Sequence, residues 1–248
     1  MSRTDVSIPT AEGEARAFVF RPDAGSGPWP AVIFYMDAPA IRPALFEMGQ
    51  RLADHGYFVL LPDMFWRAGP YEPIDLKAAF KDEETRRAVF ARLMGSTNPE
   101  KAMADTRAFL DYLAGQPDVK GPKVGVTGYC MGAGFALRAA GSYPDRVAAA
   151  GCFHGSSLAT DAENSPHLLA PKIRARVLVA GGDNDRGFDV AQKDRLDAAL
   201  KAAGVDAEVT IYEGALHGYA PPDMPVYNRE ASERHWRELT ALLDATLK

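Results

Sequence analysis

Three side chains in this sequence could together break an acyl bond: the thiol of Cys130, a carboxylate at Asp183 or Asp185, and the imidazole of His217. Cys130 has Gly128 two positions before it and Gly132 two positions after it, in Gly-Tyr-Cys-Met-Gly. That spacing puts a nucleophile on a sharp turn between a strand and a helix. At such a turn the two backbones close on each other, and side chains at the flanking positions would collide, so both are glycine. A sulfur at a helix N-terminus also feels the positive end of the helix dipole, which favours the nucleophilic thiolate. Read alone, Cys130 is equally a small buried hydrophobe beside glycines that merely pack. The acid and the base decide between the two readings.

Gly181-Gly182-Asp183-Asn184-Asp185-Arg186 is an acidic loop behind the apolar run Val177 to Ala180, and Glu213-Gly-Ala-Leu-His217-Gly-Tyr follows the run Ala207 to Tyr212. Each has a plainer reading on its own, since Asp in a glycine-rich loop is a turn former and a lone His is usually a hydrogen-bonded surface residue. Taken together, nucleophile, acid and histidine stand in the chain order of the α/β-hydrolase triad, each behind its own strand. His154, in Cys-Phe-His-Gly-Ser-Ser, also follows a strand, but one that precedes the acid's strand. Its expected role is to support the triad from behind or to pack its own loop.

The elements that must position these residues are legible as alternating apolar runs and helical periods. Lys123 to Ala140 reads strand, turn, helix, with Val124 to Thr127 as the strand. Val6 to Ile8 and Ala15 to Arg21 read as an antiparallel edge. Ala31 to Tyr35 is a continuous apolar run of the kind covered on both faces; Pro43 to His55 follows as a helix and Tyr57 to Leu61 as the next strand, a β-α-β unit. Residues 64 to 97 are expected as an insertion near the pocket, helical from Asp75 to Met94, and Asn98 to Ala114 as a helix begun by Asn-Pro-Glu. Beyond the elbow come a strand at Arg146 to Phe153, a helix at Val190 to Ala203 and a final helix at Asn228 to Leu247. This alternation predicts one α/β domain over residues 1–248, a mostly parallel, doubly wound sheet with helices on both faces. Ligands in such sheets bind beyond the carboxyl ends of the strands, where the three candidate residues stand.

Composition narrows the function classes. A net charge of −5 with no dense Lys/Arg cluster argues against nucleic acid or an anionic membrane surface as the partner. The N-terminus lacks an apolar signal core, and no run approaches the roughly 20 apolar residues of a membrane span, so a cytoplasmic location is expected. The two cysteines, Cys130 and Cys152, are expected as free thiols in a reducing compartment. No Cys/His cluster has metal-ligand spacing, and neither a phosphate loop nor a G-x-G-x-x-G after a strand is present, so no cofactor is implied.

Gly128-Tyr-Cys-Met-Gly132, Gly182-Asp-Asn-Asp185 and His217-Gly-Tyr together resemble the dienelactone hydrolase family, the cysteine-dependent branch of the α/β hydrolases, over nearly the whole length. The resemblance implies Cys130 as nucleophile, His217 as base, Asp185 rather than Asp183 as the residue orienting it, and the backbone N–H groups of Ala38 and Met131 as oxyanion hole. It implies an acid in contact with the resting thiol at Asp37, where founding members of the family have Glu. It also implies a carboxylate clamp of two arginines. Arg67 resembles the first, whereas the chain past His217 runs Gly-Tyr-Ala-Pro-Pro and offers no second; Arg42 either supplies the missing charge or pairs with Asp37. With a single arginine, neutral lactones and esters are expected within roughly tenfold of their carboxylated analogues. Tyr35, Trp66, Tyr71 and Tyr129 are expected as an aromatic pocket wall. The activity implied is hydrolysis of small esters or lactones through a thioester. An acyltransferase with the same triad is the near alternative, and a redox-sensing thiol protein the distant one, which does not require His217 and Asp185.

Overall fold

The computed structural model describes residues 3–74 and 83–248. Eight strands form one sheet: β1 (Arg3–Thr10), β2 (Gly13–Phe20), β3 (Trp29–Tyr35), β4 (Phe58–Pro62), β5 (Val119–Tyr129), β6 (Val147–Phe153), β7 (Arg176–Gly182) and β8 (Ala207–Tyr212). Their order is β1-β2-β4-β3-β5-β6-β7-β8. β1 and β2 form the expected antiparallel edge, β2 joins β4 antiparallel, and β3 through β8 are parallel. The buried central strands consist of apolar runs with no alternation, because helices cover both of their faces.

Among the described residues the α-helices are α1 (Pro43–Asp54), α2 (Glu83–Gly95), α3 (Pro99–Ala114), α4 (Met131–Ser142), α5 (Val190–Ala202) and α6 (Arg229–Leu247). α1 and α6 meet through the Arg51–Glu233 ion pair and Arg51 stacked on Trp236. α6 lies on β5 and β6 so closely that a Cβ on Gly125 would come within 2.5 Å of Leu243, and one on Gly151 within 2.8 Å of Leu239. α3 and α4 pack together, and α4 and α5 flank the 3-10 segment Pro166–Lys172, an element that no periodicity in the sequence predicts. Asn98 and Asn228 cap α3 and α6 by accepting from Lys101 N and Ala231 N, so both helices start one residue later than expected.

The elbow strand is longer than its β-branched run. β5 begins at Val119, where Trp29 N donates to the Asp118 carbonyl, and the β3–β5 register slips between Trp29 and Ala31. That slip takes up Gly121 and Pro122, turn-forming residues that conceal the first half of the strand from a sequence reading. In the 64–97 segment the described residues form a single 3-10 turn (Trp66–Ala68) and α2; the expected helix from Asp75 lies partly outside the described residues. Among the described residues no helix is long and apolar enough to cross a membrane.

Candidate active site

Cys130 sits at the carboxyl end of β5 with φ 54° and ψ −116°, a left-handed conformation rarely tolerated by a residue with a Cβ. The surroundings enforce it. A Cβ on Gly128 would lie 2.0 Å from the Gly132 carbonyl oxygen, and one on Gly132 would lie 2.4 and 2.5 Å from the carbonyl oxygens of Tyr35 and Met36. The two glycines therefore let β5, α4 and the end of β3 converge on one point, with the sulfur half-buried at its tip.

The loops after β7 and β8 bring the other two residues to that tip. A Cβ on Gly182 would lie 2.8 Å from the Ala215 carbonyl oxygen, so the acidic loop and the histidine loop leave the sheet in contact. His217 Nδ1 donates to Asp185 Oδ2 at 2.7 Å, and Nε2 faces Cys130 Sγ at 3.1 Å. The second Asp185 oxygen accepts the Gly187 N–H at 2.7 Å, which fixes the carboxylate. Asp183 instead accepts the Gly214 N–H at 3.3 Å. Burial disfavours charging the His217 imidazole, but its hydrogen bonds to Asp185 and Cys130 outweigh that and raise its pKa to about 10. A strong proton acceptor thus faces the thiol. Ala38 and Met131 both line the cavity that holds the sulfur, and Met131, as the first residue of α4, has an N–H without an intrahelical acceptor.

Other residues singled out from sequence have different surroundings. Asp37 is 2% exposed and gives both oxygens to Arg42 at 2.5 and 2.8 Å; Arg42 also holds Asp223 at 2.6 and 3.1 Å. Among the described residues the side-chain partner of the sulfur is His217, not Asp37. The chain past His217 therefore supplies an acid, Asp223, which ties the histidine loop to the loop after β3 through Arg42. Arg67 forks onto Asp105 at 2.7 and 2.8 Å, pairs with Glu12 and stacks on Trp66. All three of its nitrogens donate to these two acids, so no face of the guanidinium is left as a free fork for a substrate carboxylate. The four aromatic residues expected as a pocket wall do not form one, because each polar end has found a buried partner: Tyr35 with Thr106, Trp66 with Asp105, Tyr71 with Asp63 and Tyr129 with His235.

The cavity at the sulfur measures about 450 Å³, and its apolar wall comes from Met94, Pro99, Met131, Phe135 and Pro166. Clefts of about 570 and 600 Å³ open away from the sulfur, the second along Asp183 and Asp185, and Cys130 lines neither. Arg138 also lines the sulfur cavity and was missed from sequence. The available signal was helical spacing, since Met131, Gly134, Phe135 and Arg138 fall on one face of α4. Among the described residues no cluster of three or more His, Cys, Asp or Glu side chains has metal-binding geometry.

The buried Asp37–Arg42 pair has a measurable consequence. Removing one partner of a buried pair typically costs about 3–5 kcal/mol, and Asp223 would still neutralise Arg42, so Asp37→Asn is expected near the lower end. Asp223→Asn, at a more exposed contact, should cost about 1 kcal/mol or less. Urea midpoints should fall in the order parent, Asp223→Asn, Asp37→Asn; equal midpoints for Asp37→Asn and the parent would show that this pair does not hold the loop.

Behind His217 lies an aromatic column. The His154 ring is fully buried, with centroids 5.4 Å from His217, 5.8 Å from Tyr129 and 5.0 Å from Tyr219. Tyr129 in turn hydrogen-bonds His235 Nε2 at 3.0 Å, while His235 Nδ1 donates to the Ser232 carbonyl at 2.5 Å, which defines a neutral tautomer. Burial lowers the pKa of His235 to about 3 and holds that of His154 well below its ordinary value, with the neighbouring His217 adding to the latter effect. Both rings refuse protons that the unfolded chain accepts below about pH 6.5. Their contribution to stability is therefore complete above that pH and is lost as the pH falls below it, for His235 towards 3. His235→Gln is expected to flatten the slope of unfolding free energy against pH between about 6 and 4 by up to about 1.4 kcal/mol per pH unit. An unchanged slope in denaturant titrations would show that His235 titrates alike in both states.

The parallel sheet with its antiparallel edge, flanked by helices, and a cysteine at the strand-to-helix turn define an α/β hydrolase. The dienelactone hydrolase family model matches residues 15–247, and the chain belongs to that family, whose members are hydrolases of lactone and ester substrates. A Synechocystis sp. protein with a provisional carboxymethylenebutenolidase name is 25% identical over 250 residues, covering 99% of this chain and 97% of that one. The carboxymethylenebutenolidase of Pseudomonas sp. strain P51 is 32% identical over 128 residues, covering 52% of this chain and 50% of that one. Among solved structures, the dienelactone hydrolase from Anabaena variabilis superimposes with a TM-score of 0.67 at 20% identity, covering 100% of this chain and 99% of that one. The dienelactone hydrolase-like promiscuous phosphotriesterase P91 from metagenomic libraries gives 0.78 at 23% identity, again covering 100% and 99%. At these identities the superpositions speak for the fold.

Proposed function

We propose that the protein hydrolyses small esters or lactones through a Cys130–His217–Asp185 triad and a covalent thioester. The observation that carries the reading is the unbroken chain of contacts from Asp185 through His217 to Cys130, at 2.7 and 3.1 Å, on the strained elbow. His217 takes the thiol proton, and the sulfur attacks the carbonyl carbon. The tetrahedral oxyanion lies against the Ala38 and Met131 N–H groups, and the alcohol leaves with the proton from His217. Water then adds to the thioester, with His217 as base, and the acid is released with Cys130 restored. Carboxymethylenebutenolidase relatives make lactones the first substrates to try.

A panel of chromogenic esters and small lactones, with mass spectrometry of quenched enzyme, tests this. The expected result is turnover together with a mass increment equal to the acyl group on the peptide containing Cys130. Turnover with the acyl group on another residue would overturn the triad. An acyl-enzyme that partitions to added alcohols in preference to water would favour the acyltransferase alternative.

A further inference from the structure

Of the arginines near the site, Arg42 and Arg67 are each held by two carboxylates, whereas Arg138 is not. Arg138 lines the same cavity as Cys130, and among the described residues no Asp or Glu lines that cavity. Its guanidinium is half-buried and donates through Nη2 to the Asn164 backbone carbonyl; among the described residues it has no ion-pair partner. Burial pushes its pKa down, with Glu100 acting in the other direction. A cation partly removed from water in the cavity that holds the sulfur, with donors to spare, is a costly arrangement that an anion entering the cavity would relieve.

Its position sets the distance. Met131, Gly134, Phe135 and Arg138 occupy one face of α4, with the sulfur at the N-terminal end of that stripe. Eight residues of helix rise about 12 Å, and a long side chain leans back towards the N-terminus. The guanidinium therefore meets a group roughly 6–12 Å from the sulfur, beyond the reach of the carboxylate of a small lactone acid. We propose that Arg138 is a carboxylate-binding, specificity-determining residue, and that the favoured substrates are esters carrying a terminal carboxylate several bonds from the scissile carbonyl, their chain lying along Met131 and Phe135. This rests on the hydrolase reading above and adds the substrate class.

The test uses p-nitrophenyl monoesters of succinic, adipic, suberic and sebacic acids, each against its neutral methyl-ester analogue, and a second series of acetate esters of ω-hydroxy acids with their methyl esters. In the parent enzyme the ratio of kcat/KM for the carboxylated to the neutral member should be near one at succinate length and rise to about tenfold or more in the longer members of one series. Arg138→Gln should bring that ratio to within about twofold of one, and Arg138→Lys should keep part of it. A ratio that is flat with length in both series, or that survives Arg138→Gln, overturns the proposal while leaving hydrolysis intact. If no ester is turned over, calorimetric binding of monomethyl suberate to Cys130→Ala decides independently. Binding lost in Cys130→Ala/Arg138→Gln supports the subsite without the hydrolase reading, and its persistence or its absence from both proteins rejects the subsite.

Discussion

Cys130→Ala is expected to lower kcat/KM for any turned-over ester by at least about 10³-fold, while the circular dichroism and urea midpoint stay near those of the parent. The size follows from the role, since removing the nucleophile of a triad leaves only the oxyanion donors and substrate binding. The fold should tolerate the change, because the strain at φ 54° lies in the backbone and alanine carries the same Cβ. Iodoacetamide should label one of the two thiols. Cys130 is half-buried with His217 at 3.1 Å, whereas Cys152 is fully buried in β6 and burial pushes its pKa up to about 12. One equivalent of label, on the peptide containing Cys130, should parallel the loss of activity. Ester turnover within about tenfold of the parent in Cys130→Ala would sink the mechanism.

What made the elbow legible was backbone contact. Gly128 and Gly132 each face carbonyl oxygens closer than any side chain permits, so the pattern is a direct record of geometry. The central strands were legible for a related reason: strands covered on both faces lose their alternation and stand out as apolar runs. Long-range charge pairing left no such trace. Arg67 finds Asp105 38 residues on and Glu12 55 residues back, and Arg42 finds Asp223 181 residues on, so a sequence reading could place these arginines near the site but could not tell that they were already occupied. The aromatic residues misled in the same way. Tyr35, Trp66, Tyr71 and Tyr129 stand beside site residues in sequence, but the demand of a hydroxyl or indole N–H for a partner turned the polar end of each towards the interior. Arg138 was concealed by its neighbours, a single charge in an Ala-rich helix whose cavity-facing stripe shows only when positions 131, 134, 135 and 138 are read together.

The network around Arg42 gives the site its frame. Asp37 follows β3, beside the proposed oxyanion donor Ala38, and Asp223 belongs to the loop that carries His217. One buried guanidinium thus couples the position of an oxyanion donor to that of the base, two groups that must keep a fixed separation for the tetrahedral intermediate. The elbow supplies the third point, because Gly132 rests on the Tyr35 and Met36 carbonyls immediately before Asp37.

Asp185→Asn should lower kcat by about 10²–10⁴-fold, whereas Asp183→Asn should leave it within about threefold of the parent. Asp185 accepts from His217 Nδ1 and from the Gly187 N–H, so both oxygens are engaged and the side chain is 4% exposed. Asparagine at that site keeps one acceptor. With the oxygen retained by Gly187, the amide N–H₂ faces His217 and the imidazole must turn its lone pair to Nδ1. Nε2 then carries the hydrogen and can no longer take the proton of Cys130. Asp183 makes one hydrogen bond at 3.3 Å to the Gly214 N–H, away from the imidazole, and asparagine keeps an oxygen that can accept it, so the substitution should cost about 1 kcal/mol of stability or less and no chemistry. The pKa of His217 supplies a readout that a merely structural defect would not move. Held up to about 10 in part by Asp185, it should fall by more than about one unit in Asp185→Asn and stay unchanged in Asp183→Asn, as followed by NMR of the imidazole carbon-bound protons. A larger kcat loss in a folded Asp183→Asn than in Asp185→Asn would assign the acid to Asp183 and overturn the triad as drawn.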